Sequence, residues 1–351
     1  MTNNLNTLNT EQSTFSEDTS NEIIRVNNLV KHYNGIKAVK GISFSVKRGE
    51  IFGFLGPNGA GKTTTINMLC TLTPPTSGDA YINGYNILKQ PEEVRRSIGL
   101  VFQENTLDNH LTAEENLFLH ASLYNVETKD FIKRKIEMFK LFELWERRKD
   151  FVNTFSGGMK RRLELARALI PQPKILFLDE PTVGLDPQTR KKIWEYLFNI
   201  RKKKNVTIFL TTQYLNEAES CDRVAIIDHG EIIALDTPEN LKKMIGGDII
   251  TIITNDNEKA EFEVKNKFPH INLKRIGKEI KIEVNNGNRF LPLLIKTLTP
   301  QVLSVELRQP TLEDVFLKLT GRQIREENKE DNNFLNFINF LNIFNENDQE
   351  N

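Results

Sequence analysis

The stretch GPNGAGKT, residues 56–63, constrains the fold of this chain more than any other feature of its sequence. It fits the pattern G-x-x-x-x-G-K-[ST] and lies between an apolar segment and a segment of helical character, the context that a phosphate-binding loop requires. Glycines let backbone N–H groups turn inward around phosphates, and the pattern places Lys62 on the outer phosphates and the Thr63 hydroxyl on Mg²⁺. We therefore interpret the stretch as a nucleotide-binding loop rather than an ordinary glycine turn. The candidate nucleotide-binding residues are Gly56, Pro57, Asn58, Gly59, Ala60, Gly61, Lys62, Thr63 and Thr64.

Three compact apolar segments predict the sheet that carries this loop. They are EIFGFLG (50–56), KILFLDE (174–180) and VTIFLTT (206–212), and each ends in polar or glycine residues. Such segments are typical of buried parallel strands, whose carboxyl ends carry the ligands in α/β folds. From Ile23 onward, strands are predicted to alternate with helices, which favours a parallel sheet flanked by helices.

Residues 112–150 are predicted to be mainly helical. Thr112 and Glu115 form a capping-box pattern, and DFIKRKIEMFKLFEL repeats apolar positions at helical spacing. We place a helical subdomain at about residues 104–160, within a nucleotide-binding domain of residues 23–245.

A second, smaller domain is predicted at residues 246–322. Its segments are predicted as strand, helix, strand, strand, helix and strand, which is the order of the ferredoxin-like α+β fold. The stretch PTLEDVFLKLTGR, residues 310–322, then predicts a closing helix with proline in its first turn and glycine near its end. In chain order the six segments are IITIITN, EKAEFEVKNKF, INLKRIG, IKIEVN, NRFLPLLIKTL and VLSVELRQ.

The polar composition of residues 1–22 and 323–351 predicts disorder at both termini. Within the second segment, asparagines interrupt FLNFINFLNIF so that it keeps no clean helical face, which favours disorder over a membrane anchor. The start of the chain lacks the basic and apolar regions of a signal peptide, and the sequence contains no run of about 18 apolar residues. We expect a soluble chain whose role at a membrane comes through a partner.

Composition argues against two classes of protein. The 351 residues include 47 Lys and Arg and 47 Asp and Glu, so the formal net charge is zero, and we expect no nucleic-acid partner. Cys70 and Cys221 are too few and too far apart in sequence for a disulfide framework or a metal site. We interpret both as reduced cytosolic thiols.

Two carboxylates follow the apolar segment ILFL. Asp179 is predicted to hold Mg²⁺, and Glu180 is predicted to accept a proton from the attacking water. Phosphoryl transfer depends mostly on positioning and charge neutralisation, so a metal, a lysine and a water-orienting base form a minimum set. In a chain with a phosphate loop, this acidic pair is interpreted as functional rather than as a solvated strand end.

The stretch FSGGMKRRLELARAL, residues 155–169, places a serine and two glycines at the start of a predicted basic helix. Such a start can bind an anion, because unpaired N–H groups and the positive end of the helix dipole gather there. With these motifs the chain resembles the nucleotide-binding subunits of ABC transporters over about residues 23–320, although Met159 stands where the family usually has glutamine. The resemblance implies a P-loop NTPase core.

The same resemblance implies an assembly. Two such subunits meet head to tail, either as two copies of this chain or as the chain and a close paralogue, with ATP between them. Ser156, Gly157 and Gly158 would then bind the γ-phosphate of an ATP seated on the partner's Lys62. The alternative is a capped helix without a ligand.

Three further residues each match one functional position of the family. Tyr33 resembles the aromatic residue on which adenine stacks. Gln103 resembles the glutamine that contacts Mg²⁺ and links the site to the membrane subunit, and Asp186 resembles an aspartate at the dimer interface. Without the resemblance, these residues would be interpreted as a core tyrosine, a surface glutamine and part of a turn.

Gln213 departs from the family pattern. Many members place a switch histidine after this strand, where it contacts the γ-phosphate, but here the sequence is TTQYLNEAE. Glutamine donates a hydrogen bond yet carries no charge or proton at neutral pH. We therefore expect Glu180 to act as the main base and Gln213 to support hydrolysis by hydrogen bonding.

The first functional hypothesis is an energising subunit of an exporter. ATP would close the dimer, hydrolysis would reopen it, and a separate integral-membrane permease would move the cargo outward. The stretches around residues 155, 213 and 310 resemble the daunorubicin-resistance branch of exporter ATPases, which implies drug, antibiotic or lipid-like cargo and a position on the cytoplasmic face of the membrane.

Two alternatives belong to other functional classes. A soluble ABC ATPase acting on ribosomes or DNA is disfavoured by the single phosphate loop and by the lack of a heptad run between that loop and the SGG motif. A binding module without catalysis is disfavoured by the intact Lys62, Asp179 and Glu180.

Overall fold

The computed structural model describes residues 21–321. The predictions of terminal disorder lie outside these residues, except that Glu22 already belongs to the first strand.

The strands are β1 (Glu22–Tyr33), β2 (Ile36–Lys47), β3 (Ile51–Leu55), β4 (Ser77–Ile82), β5 (Tyr85–Asn86), β6 (Ile98–Val101), β7 (Ile175–Asp179), β8 (Thr207–Thr212), β9 (Arg223–Asp228), β10 (Glu231–Asp236), β11 (Asp248–Thr254), β12 (Asn272–Ile276), β13 (Glu279–Val284) and β14 (Val302–Arg308). The helices are α1 (Lys62–Leu69), α2 (Pro91–Ser97), α3 (Ala113–Leu123), α4 (Thr128–Leu141), α5 (Gly157–Leu169), α6 (Pro187–Lys204), α7 (Leu215–Ala218), α8 (Pro238–Lys243), α9 (Asn257–Lys267), α10 (Gly287–Thr297) and α11 (Leu312–Thr320).

The central sheet has the strand order β10-β9-β3-β8-β7-β6. Its strands from β9 to β6 are parallel, and β3, β7 and β8 are buried along their whole length, which confirms the three predicted strands. Leu55 pairs with Thr212, and Asp179 pairs with Thr211. Because neighbouring parallel strands end together, the carboxyl ends of β3, β8, β7 and β6 share one edge of the sheet.

The first part of the chain also contains a second sheet, which is antiparallel and has the strand order β2-β1-β4-β5. This sheet was not predicted from the sequence. The predicted alternation of strands and helices from Ile23 is wrong over residues 22–47, where two long strands pair directly. Register shifts interrupt β1 between Val26 and Leu29. These shifts break the alternation of buried and exposed side chains by which an antiparallel strand is recognised.

Five phenylalanines join the two sheets. Phe44 from β2 packs against Phe52 and Phe54 of β3 and against Phe209 of β8, and Phe177 of β7 packs against Phe209. The ring centroids of these pairs lie between 5.3 and 6.0 Å apart. This cluster fixes β3, which leads into the phosphate loop, against the two strands that carry the other candidate site residues.

The predicted helical region contains α3 and α4, followed by two 3₁₀ turns before α5. The capping box at the start of α3 is confirmed: the Glu115 backbone N–H donates to Thr112 Oγ1 at 3.2 Å, and the Thr112 backbone N–H donates to Glu115 Oε2 at 2.7 Å. These helices pack with α5 in one apolar cluster that includes Leu117, Phe139 and Leu163. Within residues 21–321, no helix is both long and apolar enough to cross a bilayer.

The last four strands form an antiparallel sheet of order β12-β13-β11-β14 with its own apolar cluster, as the predicted ferredoxin-like order requires. The closing helix α11 starts after Thr311, so Pro310 precedes the helix rather than lying in its first turn as predicted. Leu312, Val315 and Phe316 of α11 are buried in the cluster of the nucleotide-binding part of the chain. The domain boundary near residue 246 stays a prediction, since α11 follows the small sheet in sequence and packs on the larger part.

We predict that Phe209→Ala will lower the free energy of unfolding by about 3–5 kcal/mol, because it removes the ring at the centre of the aromatic cluster. Urea unfolding of the full chain measures the effect. The control is Phe262→Ala, since Phe262 is 66% exposed and its loss should change stability by less than about 0.5 kcal/mol. Equal losses in the two variants would contradict the assigned role of the cluster.

Candidate active site

Four adjacent strands deliver the candidate residues to one edge of the central sheet. The phosphate loop follows β3, Gln213 follows β8, Glu180 follows β7, and Gln103 lies just beyond β6. The Gly56 backbone N–H donates to the Thr212 carbonyl at 3.2 Å, which ties the start of the loop to the end of β8. Residues far apart in sequence therefore meet through strand order alone.

The phosphate loop has the backbone shape that its glycines permit. Gly61 has φ of 105°, and a Cβ atom at this position would lie 2.6 Å from the Ala38 carbonyl oxygen. A residue with a side chain would therefore be strained here and would collide with β2. Helix α1 begins at the next residue, Lys62, and has no acidic residue in its first turn, so its N-terminus suits an anion.

Lys62 lies at the centre of the site. Its ammonium donates to the Gly56 and Pro57 carbonyls at 2.8 and 3.2 Å, and it pairs with Glu180 Oε1 at 3.0 Å. Both charged side chains are buried, with 4% and 5% of their surfaces exposed. The structure thus brings the predicted phosphate-binding lysine and the predicted base into direct contact.

Glu180 occupies a strained backbone position. Its φ is 46°, a left-handed conformation that is uncommon outside glycine and that concentrates at functional sites. Its backbone N–H donates to Thr211 Oγ1 at 3.0 Å, and its Oε2 accepts from Gln103 Nε2 at 3.3 Å. These contacts aim the carboxylate at the shared strand edge.

Thr211 is a site residue that the sequence interpretation missed. Its hydroxyl donates to Asp179 Oδ1 at 2.5 Å while accepting from the Glu180 backbone, so one side chain orients both acidic residues. The available signal was the polar pair that ends the buried strand TIFLTT. Parallel pairing places that pair beside the acidic pair, and sequence alone does not give the pairing.

The oxygen donors near the loop suit a hard cation. Asp179 is buried, with one carboxylate oxygen held by Thr211, and Thr63 and Gln103 provide a hydroxyl and an amide carbonyl. Residues 21–321 contain no group of three or more histidine, cysteine or acidic residues that could hold a metal by themselves. Mg²⁺ commonly uses one or two carboxylates together with substrate phosphates and water, so the donor set fits it.

Arg161 is a second residue that the sequence interpretation missed. From α5 its guanidinium donates to the carbonyls of Pro181 and Phe102, both at 2.6 Å, and to that of Glu180 at 3.0 Å. It also pairs with Glu164 Oε2 at 3.1 Å. Burial lowers the pKa of Arg161 from its usual value, and Glu164 opposes that shift.

This arginine links two parts of the candidate site. Phe102 precedes Gln103, so one side chain clamps the backbone next to Gln103 and the backbone of Glu180. The available signal was a charged pair, Arg161 and Glu164, on the same face of the predicted helix as apolar residues. The sequence predicts a basic helix here and does not distinguish Arg161, which is buried, from its basic neighbours.

The start of α5 lies against the start of α6. Ser156 caps α5, accepting from the Met159 backbone N–H at 3.3 Å, and a Cβ atom on Gly158 would lie 2.6 Å from Thr189 Cγ2. Asp186 caps α6, accepting from the backbone and hydroxyl of Thr189 at 3.0 and 2.7 Å, and these bonds lower its pKa. Ser156, Gly157 and Asp186 are exposed, so one surface presents the SGG motif and the aspartate together.

Tyr33 and Gln213 have fewer described contacts than the site residues discussed above. Tyr33 ends β1 with 42% of its surface exposed, and the Lys31 ammonium lies 4.9 Å from the centre of its ring. Gln213 is half-buried immediately after β8. Their proposed contacts with nucleotide stay predictions, as do the roles of the other site residues.

Comparison with known proteins places these observations in a family. The family model for ABC transporters matches residues 39–183, and the model for the C-terminal domain of DrrA1-3-like ATP-binding proteins matches residues 237–320. The chain is 40% identical to the linearmycin resistance ATP-binding protein LnrL of Bacillus subtilis, over 87% of this chain and all of that protein. It is 38% identical to the daunorubicin/doxorubicin resistance ATP-binding protein DrrA of Streptomyces peucetius, over 85% of this chain and 92% of that protein.

The chain is also similar to an export protein and to solved structures. The chain is 36% identical to the Nod factor export ATP-binding protein I of Ralstonia nicotianae, over 88% of this chain and 96% of that protein. A solved ATP-binding subunit of an ABC transporter shares 32% identity at a TM-score of 0.59, covering 64% of this chain and 93% of that one. A dimeric ATP-binding cassette in a post-hydrolysis state with ADP and Pi shares 30% identity at a TM-score of 0.56, covering 61% and 98%.

We predict that Arg161→Met will lower the free energy of unfolding by about 3–5 kcal/mol, because the buried carboxylate of Glu164 loses its ion-pair partner. Urea unfolding monitored by circular dichroism measures the loss. Replacing both residues by methionine should restore part of it, and Lys160→Met on the same helix is the control. A single variant as stable as that control would contradict the clamp described above.

Proposed function

We propose that this chain, which belongs to the ATP-binding subunits of ABC transporters and hydrolyses ATP, powers export of a drug-like or lipid-like molecule through a separate membrane permease. The observation that carries the catalytic part is the contact of Lys62 with Glu180, with Gln103 bonded to the same carboxylate. The export part is supported by relatives named for antibiotic resistance and for Nod factor export.

The proposed hydrolysis step assigns one task to each side chain. The backbone of the phosphate loop and Lys62 bind the phosphates of ATP. Thr63, Asp179 and Gln103 would hold Mg²⁺, and the bound ion would neutralise phosphate charge. Glu180 accepts the proton of the attacking water, and its contact with Lys62 places this acceptor beside the group that binds the outer phosphates.

Gln213 completes the site by hydrogen bonding. It follows β8, between the strand that leads to the phosphate loop and the strand that leads to Glu180. From this position its amide can donate to the phosphate oxygens on which charge develops. Tyr33, at the end of the β1–β2 hairpin, supplies the surface on which adenine stacks, and the approach of Ala38 to Gly61 brings that hairpin close to the loop.

The proposed working form is a head-to-tail dimer of two copies or of this chain and a close paralogue. The exposed Ser156 and Gly157 beside Asp186 support it, because this surface can cap a phosphate held by another subunit. In this arrangement ATP binding closes the interface and hydrolysis opens it. The dimer sits at the cytoplasmic face of the membrane, attached through the permease.

We predict that Glu180→Gln will lower ATP turnover by roughly 10²–10⁴-fold, because it removes a positioned base, while ATP binding survives. A phosphate-release assay measures turnover, and equilibrium dialysis measures binding. Glu92→Gln, a change of the same kind on the exposed part of α2, is the control. Turnover near that of the parent would remove Glu180 from this role.

We predict that ATP will drive the slow Glu180→Gln variant into dimers and that adding Ser156→Arg will abolish them. ATP shared by two subunits stabilises the dimer by mass action, and an arginine side chain at Ser156 would fill the space for the phosphate. Light scattering with and without ATP measures the assembly. The matched control is Thr128→Arg, at an exposed position of α4, and dimers that survive Ser156→Arg would contradict the composite site.

A further inference from the structure

Glu217 is a carboxylate buried close to the proposed active site. It lies in α7, directly after the segment that contains Gln213, and 1% of its surface is exposed. Burying a carboxylate is costly unless hydrogen bonds satisfy it. The contacts that satisfy Glu217 therefore indicate why the fold keeps an acidic residue here.

Both oxygens of Glu217 accept hydrogen bonds from threonine hydroxyls, one in the loop after β7 and one at the end of β8. Oε1 accepts from Thr182, and Oε2 accepts from Thr212 at 2.8 Å. Thr182 lies two residues beyond Glu180, and Thr212 directly precedes Gln213. One carboxylate thus joins the loop of the proposed base to the loop of the proposed switch residue.

The segment around Gln213 is held from both sides. The Tyr214 backbone N–H donates to Thr212 Oγ1 at 2.9 Å, so the hydroxyl that contacts Glu217 also closes the turn around Gln213. The Glu217 backbone N–H donates to the Tyr214 carbonyl at 3.2 Å. Displacing the Glu217 side chain would remove the acceptor that orients the Thr212 hydroxyl, which in turn bonds the backbone just beyond Gln213.

Arg190 connects this network to α6. Burial raises the pKa of Glu217, whereas hydrogen bonds from Thr182 and Thr212 and the positive charge of Arg190 lower it. The Arg190 guanidinium also lies 4.5 Å from the centre of the Tyr214 ring. Because Arg190 is in the first turn of α6, the network reaches the helix that Asp186 caps.

We propose that Glu217 is a positioning residue for ATP hydrolysis, whose carboxylate holds Gln213 in register with the loop that carries Glu180. This inference rests on the roles proposed above for Glu180 and Gln213. Glu217 acts through Thr182 and Thr212 and does not itself contact the nucleotide. Its loss therefore lowers kcat and leaves the KM for ATP nearly unchanged.

Substitutions at this position separate hydrogen bonding from side-chain volume. A threonine hydroxyl can donate or accept, so the amide of Glu217→Gln can keep both bonds: its oxygen accepts from one threonine and its NH₂ group donates to the other. Glu217→Met fills a similar volume without either bond. Thr212→Val removes one hydroxyl with little change of shape and serves as a second variant if Glu217→Met folds poorly.

The test measures kcat and KM for ATP hydrolysis in the parent, in Glu217→Met, in Gln213→Ala and in the double variant. Each kcat is divided by the concentration of chains that bind ATP, so that misfolded protein does not count. We expect Glu217→Met to lower kcat by roughly 10–10²-fold, as misplacing a catalytic group does, and Glu217→Gln to restore most of it. In the Gln213→Ala background, Glu217→Met should add less than about a twofold effect, because both changes act on one interaction. Glu219→Met is the control: this neighbouring acidic residue bonds the Leu312 backbone at 3.4 Å, and its loss should leave kcat unchanged.

Several results would overturn the inference. One such result is an unchanged kcat in both Glu217→Met and Thr212→Val. A second is a Glu217→Gln variant as slow as Glu217→Met. A third is a double variant of Glu217→Met and Gln213→Ala whose loss of kcat equals the product of the two single losses. If the kcat of Gln213→Ala equals that of the parent, both the proposed role of Gln213 and the inference about Glu217 are wrong. If Gln213→Ala lowers kcat but Glu217→Met does not, only the inference about Glu217 is wrong.

Discussion

The parallel register of four adjacent strands is the constraint on which the site depends. Because β3, β8, β7 and β6 run in the same direction, the segments that follow them converge on one edge of the sheet. The phenylalanine cluster around Phe209 holds three of these strands against the antiparallel sheet. Apolar packing thereby sets the positions of Lys62, Glu180 and Gln213, to which the chemistry is proposed to belong.

Buried polar contacts then hold the loops at this edge. Arg161 binds the backbone of Glu180, Thr211 orients Glu180 and Asp179, and Glu217 joins the two neighbouring loops. Such groups are costly to bury, and each is satisfied here by several hydrogen bonds. Since Arg161 belongs to the helix that begins with the SGG motif, the surface that would contact the partner's ATP is attached to the backbone of Glu180 in the chain's own proposed hydrolysis site. This attachment gives a physical route between the two nucleotide sites of the proposed dimer.

Features that depend on local chemistry could be predicted from the sequence, whereas features that depend on pairing between distant segments could not. The phosphate loop, the strand before it and the cap at Ser156 follow from short stretches, because backbone shape and helix capping are local properties. Glu180 follows from the acidic pair after the apolar segment ILFL, whereas Gln213 follows only from the family resemblance, which the comparisons confirm. Arg161 and Thr211 were missed because their partners are set by packing and strand order, and the β1–β2 hairpin was missed because its register shifts interrupt the expected alternation.

Mixing two inactive variants tests whether each ATP is hydrolysed between two subunits. Lys62→Ala removes the phosphate lysine, and Ser156→Arg blocks the SGG motif, so either variant alone should be nearly inactive. A mixed dimer pairs the intact Lys62 of one chain with the intact Ser156 of the other. We expect mixing to restore up to roughly a quarter of the parent's turnover, because half of randomly formed dimers contain one intact site of two. A mixture no more active than the two variants measured separately would contradict it.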